Sequence, residues 1–321
     1  MSKRFVTITV AILAVMMLAA AVPGGAAAWP TKPIEVIIPY APGGGSDVTS
    51  RIFAKYFEKE LGQPVVIVNI EGAQGKIGEM EVLNARPDGY KILWQHHVLH
   101  CLYLTGVTNH TWKDFTPIAV GAKSDNVVIV GKDSPWNSLA DVIRDAKAKP
   151  GQYVMEFAPG TTNHFGVLQL LSEMGVTMNM VPKSGDNPRI TSILGGHCDI
   201  TVVAMNSAMP FYNSGDIKIL GVMSTERSQW LPEVPTVIEQ GINAELLNEY
   251  VLYAPKGIPA DVEETLRSAF KKVMTSPELI AEYEAIATVA NFMDKEETLE
   301  RLENIFNTYE ALAKEFDIYR K

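Results

Sequence analysis

Cysteine is scarce in this 321-residue chain: Cys101 and Cys198 are the only two. Two cysteines so far apart are no disulfide scaffold, so a packed core must hold the fold. Cys198 sits against Asp199-Ile200-Thr201-Val202-Val203 and is expected to be a buried thiol. No second long apolar run follows Val6–Val22, which excludes a protein that crosses a membrane several times. Repeats, low-complexity linkers and a G-x-S-x-G nucleophile elbow are absent too. Positive charge is in deficit, with 28 Lys+Arg against 37 Asp+Glu. That balance argues against nucleic acid or an anionic membrane surface as partner. It does not exclude a small anion, because clustered backbone N–H groups can hold one against the global field.

What is present begins with a processing segment. Lys3 and Arg4 give a basic start, Val6–Val22 is apolar, and Ala26-Ala27-Ala28 is a small-residue cleavage site before Trp29. Residues 1–28 are therefore expected to be a signal peptide and the product periplasmic. An uncleaved anchor is the competing reading, which the Pro23-Gly24-Gly25 break and the alanines disfavour. No cysteine near the site suggests a lipid anchor. Without that segment, 26 Lys+Arg face 37 Asp+Glu, a formal charge of −11. The remaining length suits two lobes or one large α/β unit.

The first segment alternates strand and helix patterns. Ile34–Ile38 reads as a strand, Pro42-Gly43-Gly44-Gly45 as a corner, and Val48–Glu60 as a helix that Ser46 or Asp47 can cap. Val65–Val68 is a β-branched run, Asn69–Gly75 a second Gly-bearing corner, Ile77–Ala85 a short helix and Tyr90–Trp94 a third strand. Pro117–Gly121 and Asn126–Val130 could form one extended crossing between lobes. A second set follows: a helix capped by Ser138, a strand Tyr153–Phe157, the polar corner Ala158–His164, a strand Val176–Val181, and the corner Pro182–Asp186 before a helix Pro188–Leu194. Asp199–Val203 and Ile217–Val222 read as strands, with short helices at Asn206–Tyr212 and Thr236–Gln240. Tyr250–Ala254 is a strand, and helices are expected at Ala260–Met274, Pro277–Ala285 and Lys295–Phe316. A Gly-rich corner between a strand and a helix N-terminus gathers free N–H groups suited to a carboxylate or phosphate.

Particular motifs carry a resemblance. WPTKPIEVIIPYAPGGGSDVTSR, NIEGAQGKIG, RPDGYKIL, SLADVIRDAKAKPG, APGTTNH, VPKSGDNPRITSILGGHCDI and LPEVPTVIEQG follow in order along essentially the whole mature chain. The set closely resembles the substrate-binding proteins of tripartite tricarboxylate transporters, the TctC-like or Bug family. The resemblance implies a type II periplasmic binding protein fold, two α/β domains with a hinge and central cleft. On that reading, residues 29–125 and 250–321 form domain 1 and 126–249 domain 2. It implies capture of a small carboxylate, a di- or tricarboxylate or an aromatic acid. The carboxylate would be handed to the large and small membrane subunits of a secondary transporter.

Carried over, the first corner supplies Tyr40, Ala41, Gly43, Gly44, Ser46 and Asp47. The second-domain corner supplies Pro159, Thr161, Thr162, Asn163 and His164, and Gln74 of NIEGAQG adds a wall. Gly43 and Gly44 are expected to offer N–H donors and Ser46 a hydroxyl. Asp47, acceptor-only when ionised, is expected to order the loop rather than face a carboxylate. Capping competes for at least one of Thr161, Thr162 and Asn163. Lys183, Ser184, Asn206 and Ser207 are further pocket candidates. The family often places an aromatic and then a lysine after the proline, whereas Lys183 here follows Pro182 directly. His97 belongs to a loop, Gln95–His100, expected to form the far end of the pocket. Three close histidines, His96, His97 and His100, invite a metal, yet only Cys101 adds a local ligand, so no metal or cofactor is expected. A monomer is expected. Two alternatives stand beside the receptor: an exported hydrolase with Ser46 as nucleophile, and a solute sensor uncoupled from transport.

Overall fold

A computed structural model describes residues 29–320. The expected signal peptide lies outside the described residues. Strands β1 (Ile34–Ile38), β2 (Val65–Asn69) and β3 (Lys91–Gln95) run parallel in the order β2-β1-β3. Ile34, Val36, Ile37 and Ile38 are all buried, as a β-branched strand covered on both faces requires. Helix α1 (Gly45–Leu61) returns from β1 to β2, burying Phe53, Ala54 and Phe57. Gly62 ends it at φ 66°, its N–H on the Glu58 carbonyl. Helix α2 (Lys76–Leu83) precedes β3, and the short α3 (Val98–Leu104) follows it.

The two expected runs are indeed one 17-residue strand, β4 (Phe115–Gly131). Beyond it lie α4 (Leu139–Ala148), β5 (Val154–Phe157), α5 (Thr162–Met174), β6 (Asn179–Pro182), α6 (Asp186–Leu194), β7 (Ile200–Ala204), α7 (Met205–Asn213) and β8 (Ile217–Val222). The chain then runs through β9 (Leu247–Pro255), α8 (Ala260–Met274), α9 (Pro277–Glu284), β10 (Val289–Met293) and α10 (Lys295–Glu315). The first part of β4 lies antiparallel to β9 and β10, and its end lies antiparallel to β7 and β8. Strand β9 also pairs with β3, while β5 joins β6 and β7 in parallel. The result is two α/β lobes strung on one crossing strand.

Four elements differ from expectation, the first being α3, which begins inside the segment Gln95–His100 read as a loop. Val289–Met293 forms a strand, β10, against β4. Thr236–Gln240 is a turn, pinned by Glu239 accepting the Thr236 N–H and Thr236 accepting the Glu239 N–H. A five-residue segment gains too few helical bonds to repay nucleation. Helix α1 starts three residues earlier than read, at Gly45. The Ser138 cap is present, in a reciprocal box with Asp141. Both cysteines are free and buried. Among the described residues, no helix is long and apolar enough to cross a membrane.

Each lobe has its own core. In the first, the Phe53 ring meets Trp94 at 4.8 Å and Phe270 of α8 edge-on at 5.7 Å. Gly121 of β4 lies beneath this cluster: a Cβ there would stand 2.7 Å from Phe270 Cε1 and 3.2 Å from Trp94. A third cluster joins the lobes, where Phe165 of α5 packs on Tyr309 of α10 at 5.2 Å beside Cys101 and Leu104. Gly121→Ala is expected to overpack the first core and lower stability by about 1–3 kcal/mol, read from urea unfolding. An unchanged midpoint would mean that the ring moves aside freely.

Candidate functional site

The carboxyl ends of β1, β2 and β3 from one lobe, and of β5 and β6 from the other, open on one cavity of about 400 Å³. Helix α1 begins there with Gly44 as its N-cap and no side chain capping it. Ser46 and Asp47 are therefore not caps, contrary to the sequence reading; they lie inside the first turn. Asp47, 3% exposed, reaches backward instead. It accepts the Gly43 N–H at 2.9 Å, the Arg51 guanidinium at 2.8 and 3.0 Å, and the Asn69 amide at 2.9 Å. Burial pushes its carboxyl up, but the bonds from Arg51, Gly43 and Asn69 outweigh this and hold it below the ordinary range. The Gly43 N–H, expected to face a solute, is thus spent on Asp47. The N–H groups of Gly45 and Ser46 stay without helical partners at the cavity wall.

Beneath this corner runs a buried chain of hydrogen bonds. Tyr40 donates to Gln95 Oε1 at 2.8 Å, and Gln95 donates to Glu79 at 2.9 Å. Glu79 also meets His110 at 2.9 Å. The Tyr40 ring stacks on His96 at 5.4 Å. Burial, with His97 nearby, lowers the His96 imidazole to about 3, so it faces the cavity uncharged. Ser46 and Asn206 lie close enough to the Tyr250 hydroxyl to offset part of the upward push of burial on it. Gly45 leaves room for that contact, since a Cβ would fall 2.8 Å from Asn206 Oδ1 and 3.0 Å from the Tyr250 hydroxyl.

The second lobe presents α5 in the same way, with Thr161 as an N-cap that makes no side-chain cap. Its hydroxyl donates to the Ala158 carbonyl at 2.8 Å. Asn163 is consumed by the corner itself, accepting from Ala158 N–H and donating to the Val202 carbonyl, both at 2.8 Å. Thr162 lines the cavity and is 3% exposed. Helix α6 makes a third N-terminus at the wall. Its first residue, Asp186, pairs with the 2%-exposed Arg189 at 2.5 Å.

The structure therefore sorts the sequence candidates. It brings Tyr40, Ala41, Gly44, Ser46, Gln74, Thr161, Thr162, Asn163 and Ser184 to the cavity wall. It does not bring Gly43, Asp47, His97, Pro159, His164, Lys183, Asn206 or Ser207 there. His97 is buried under the wall, bonded to Glu249 at 3.1 Å, and Arg301 closes that group at 2.7 Å. Pro159 and His164 line a separate depression with Thr105, Val107 and Ile318. Burial lowers the His164 imidazole to about 4. Lys183 is held by Glu156 at 3.0 Å and by the Ser192 hydroxyl. Asn206 and Ser207 stand behind the wall, Ser207 donating to Asp186 at 3.3 Å.

Sequence reasoning placed His96 only by its loop, at the far end of the pocket, and missed Asn126, Asp186, Arg189, Asn248 and Tyr250, all on the wall. Two of these had a readable signal: Asp186 closes the polar corner read at Pro182–Asp186, and Arg189 follows it at i,i+3 at a helix start. Gln74 and Ala73 adopt φ 56° and 45°, strained values for residues other than glycine, at the rim of the cavity.

Residues 49–315 match the family described as the tripartite tricarboxylate transporter family receptor, TctC. The chain belongs to this family. The receptor is 32% identical to the "UPF0065 protein in gbd 5'region" of Cupriavidus necator, over 80% of each chain. Its fold is similar to that of the periplasmic binding protein BugD, with a TM-score of 0.83 at 25% identity, covering 91% of this chain and 99% of that one. It is also similar to Rpa4515 of R. palustris, solved with adipate, with a TM-score of 0.85 at 25% identity, covering 89% and 97%. These are binding proteins and not enzymes, which overturns the hydrolase alternative.

Asp47→Ala in the receptor is expected to lose about 1–3 kcal/mol of stability at pH 7 in urea unfolding. The folded carboxyl lies below its unfolded value of about 4. Its stabilisation is therefore complete above that value and lost as pH falls through the folded one. The gap between wild type and variant should close at acid pH. A gap independent of pH would contradict the role given to Asp47.

Proposed function

We propose that this receptor is periplasmic, freed by cleavage of residues 1–28, and captures a small carboxylate in the interlobe cavity. Delivery follows to the large and small membrane subunits of a tripartite tricarboxylate-type transporter. The observation that carries this reading is the pair of uncapped helix N-termini, α1 and α5, facing one cavity from opposite lobes. Each presents unpaired N–H groups and the positive end of a helix dipole, and together they suit one carboxylate group. The adipate-bound neighbour supports the same class.

The lobes divide at 29–125 with 250–321 against 126–249, and β4 and β9 serve as the hinge. A solute touching both lobes shifts the population toward closure, and the closed face is what the membrane subunits read. The receptor acts as a monomer. Isothermal titration of solute-free protein against aliphatic di- and tricarboxylates, aromatic acids and amino acids tests this. At least one acid should bind with a Kd of about 10 μM or tighter, near 7 kcal/mol. X-ray scattering of the same complex should show a smaller radius of gyration. Silence across that panel would sink the proposal.

A further inference from the structure

The charges around the cavity do not match a dicarboxylate. Its wall carries two carboxylates, Glu71 and Asp186, against one cation, Arg189. Arg189 is already paired with Asp186 at 2.5 Å, and its buried Nε is the one guanidinium nitrogen left without an acceptor. Lys183 is drawn off to Glu156. His96 is neutral, and burial raises the hydroxyls of Tyr40 and Tyr250, so these rings add no charge at pH 7. No unpaired side-chain cation lines the cavity among the described residues.

Three helix N-termini reach this wall, and they are not equivalent. None of the three carries a side-chain cap, and they differ in the residue that opens each helix. At α6, the first residue is Asp186. Its carboxylate accepts from Arg189, from the Ala204 N–H at 3.3 Å and from the Ser207 hydroxyl at 3.3 Å. Asp186 thus sets a carboxylate beside the α6 N-terminus at this wall, where it repels a second anion. With 21% of its side chain exposed, Asp186 keeps acceptor capacity beyond those three donors.

A second observation points the same way. Asn248 lines the cavity, is 8% exposed, and its Oδ1 has no donor. The direction of its amide follows from its neighbours. Asn126 Nδ2 donates to the Leu246 carbonyl at 2.9 Å, leaving Asn126 Oδ1 to accept from Asn248 Nδ2 at 3.3 Å. Asn248 Oδ1 is thus the free end of a fixed chain. A buried acceptor with no donor is costly unless a ligand supplies one.

We infer that the solute is a monocarboxylate whose other end carries hydrogen-bond donors, an amine or a hydroxyl, and that dicarboxylates are disfavoured. Its carboxylate lies between α1 and α5, and its donor end meets Asp186 and Asn248. This rests on the receptor reading above and narrows it.

Isothermal titration of the solute-free mature chain with matched pairs decides the matter. The acids are succinate, glutarate and adipate, each against the ω-amino and ω-hydroxy monocarboxylate in which a donor replaces the second carboxylate. At one length or more, a donor-bearing acid should bind at least about tenfold tighter than its dicarboxylate. The amino and hydroxy arms show which donor is used. Asp186→Asn should shrink that ratio by about tenfold, and Glu71→Gln, at the exposed rim, should shrink it less. Should Asp186→Asn fail to fold, the wild-type ratio and Glu71→Gln still decide. A dicarboxylate that binds as tightly as its partners overturns the inference and leaves the receptor standing. Silence from all of these acids overturns it as well, and silence from the wider acid panel besides takes the receptor reading with it.

Discussion

Strand β4 has to satisfy its backbone on both edges along its length, first against β9 and β10 and then against β7 and β8. The exchange of partners falls at Asp125 and Asn126, where the register with β9 ends and that with β7 begins. Side chains assist at this point. Asn126 bonds the Leu246 carbonyl, just before β9 starts. One lobe's parallel strands reach this crossing through β9 and the other's through β7, so the carboxyl ends of both sets face each other across it. The cavity follows from that geometry, and so does the convergence of three helix N-termini on it.

The electrostatics of the wall follow from burial. Apart from Glu71 at the exposed rim, groups that could carry charge are either neutral, as His96 is, or neutralised in pairs, as Asp186 is with Arg189. What remains is the partial charge of backbone N–H groups, which needs no counterion and costs little to desolvate further. Asp47 is the price of the first corner's shape. It takes one N–H from the site, that of Gly43, and in return fixes the turn that aims the next two. The Asn163 amide does the same work in the second lobe, tying Ala158 to the Val202 carbonyl.

Much of this fold was legible because its strands are β-branched runs and its corners are marked by Gly and Pro. The Ser138 cap and the long crossing could be read directly. Strand β10 could not, since VANFM becomes a strand only through the open edge of β4. The site was legible by segment rather than by residue. The choice of His97 over His96 shows why: the two adjacent rings sit at different depths, and only the packing against Tyr40 and Glu249 fixes which one reaches the cavity. Lys183 looked like an anion partner in sequence, but Glu156, 27 residues earlier, claims it through the pairing of β5 with β6. Asn126, Asn248 and Tyr250 lie on crossing strands, where no local motif marks them.

The cavity is also poor ground for covalent chemistry. A serine nucleophile needs a base within hydrogen-bond reach, and the titratable side chain beside Ser46 is the Tyr250 hydroxyl. Burial drives that hydroxyl upward, away from any pH at which it could take a proton. His96, the imidazole on the wall, is a weak base at about 3, for burial penalises its cation. The two thiols are buried and unbridged, Cys101 in the apolar seam and Cys198 in the second lobe, and burial raises both. The same low polarity that silences these groups strengthens each N–H bond to a bound carboxylate. A wall tuned in this way suits holding an anion rather than attacking it, in keeping with the receptor role proposed for it.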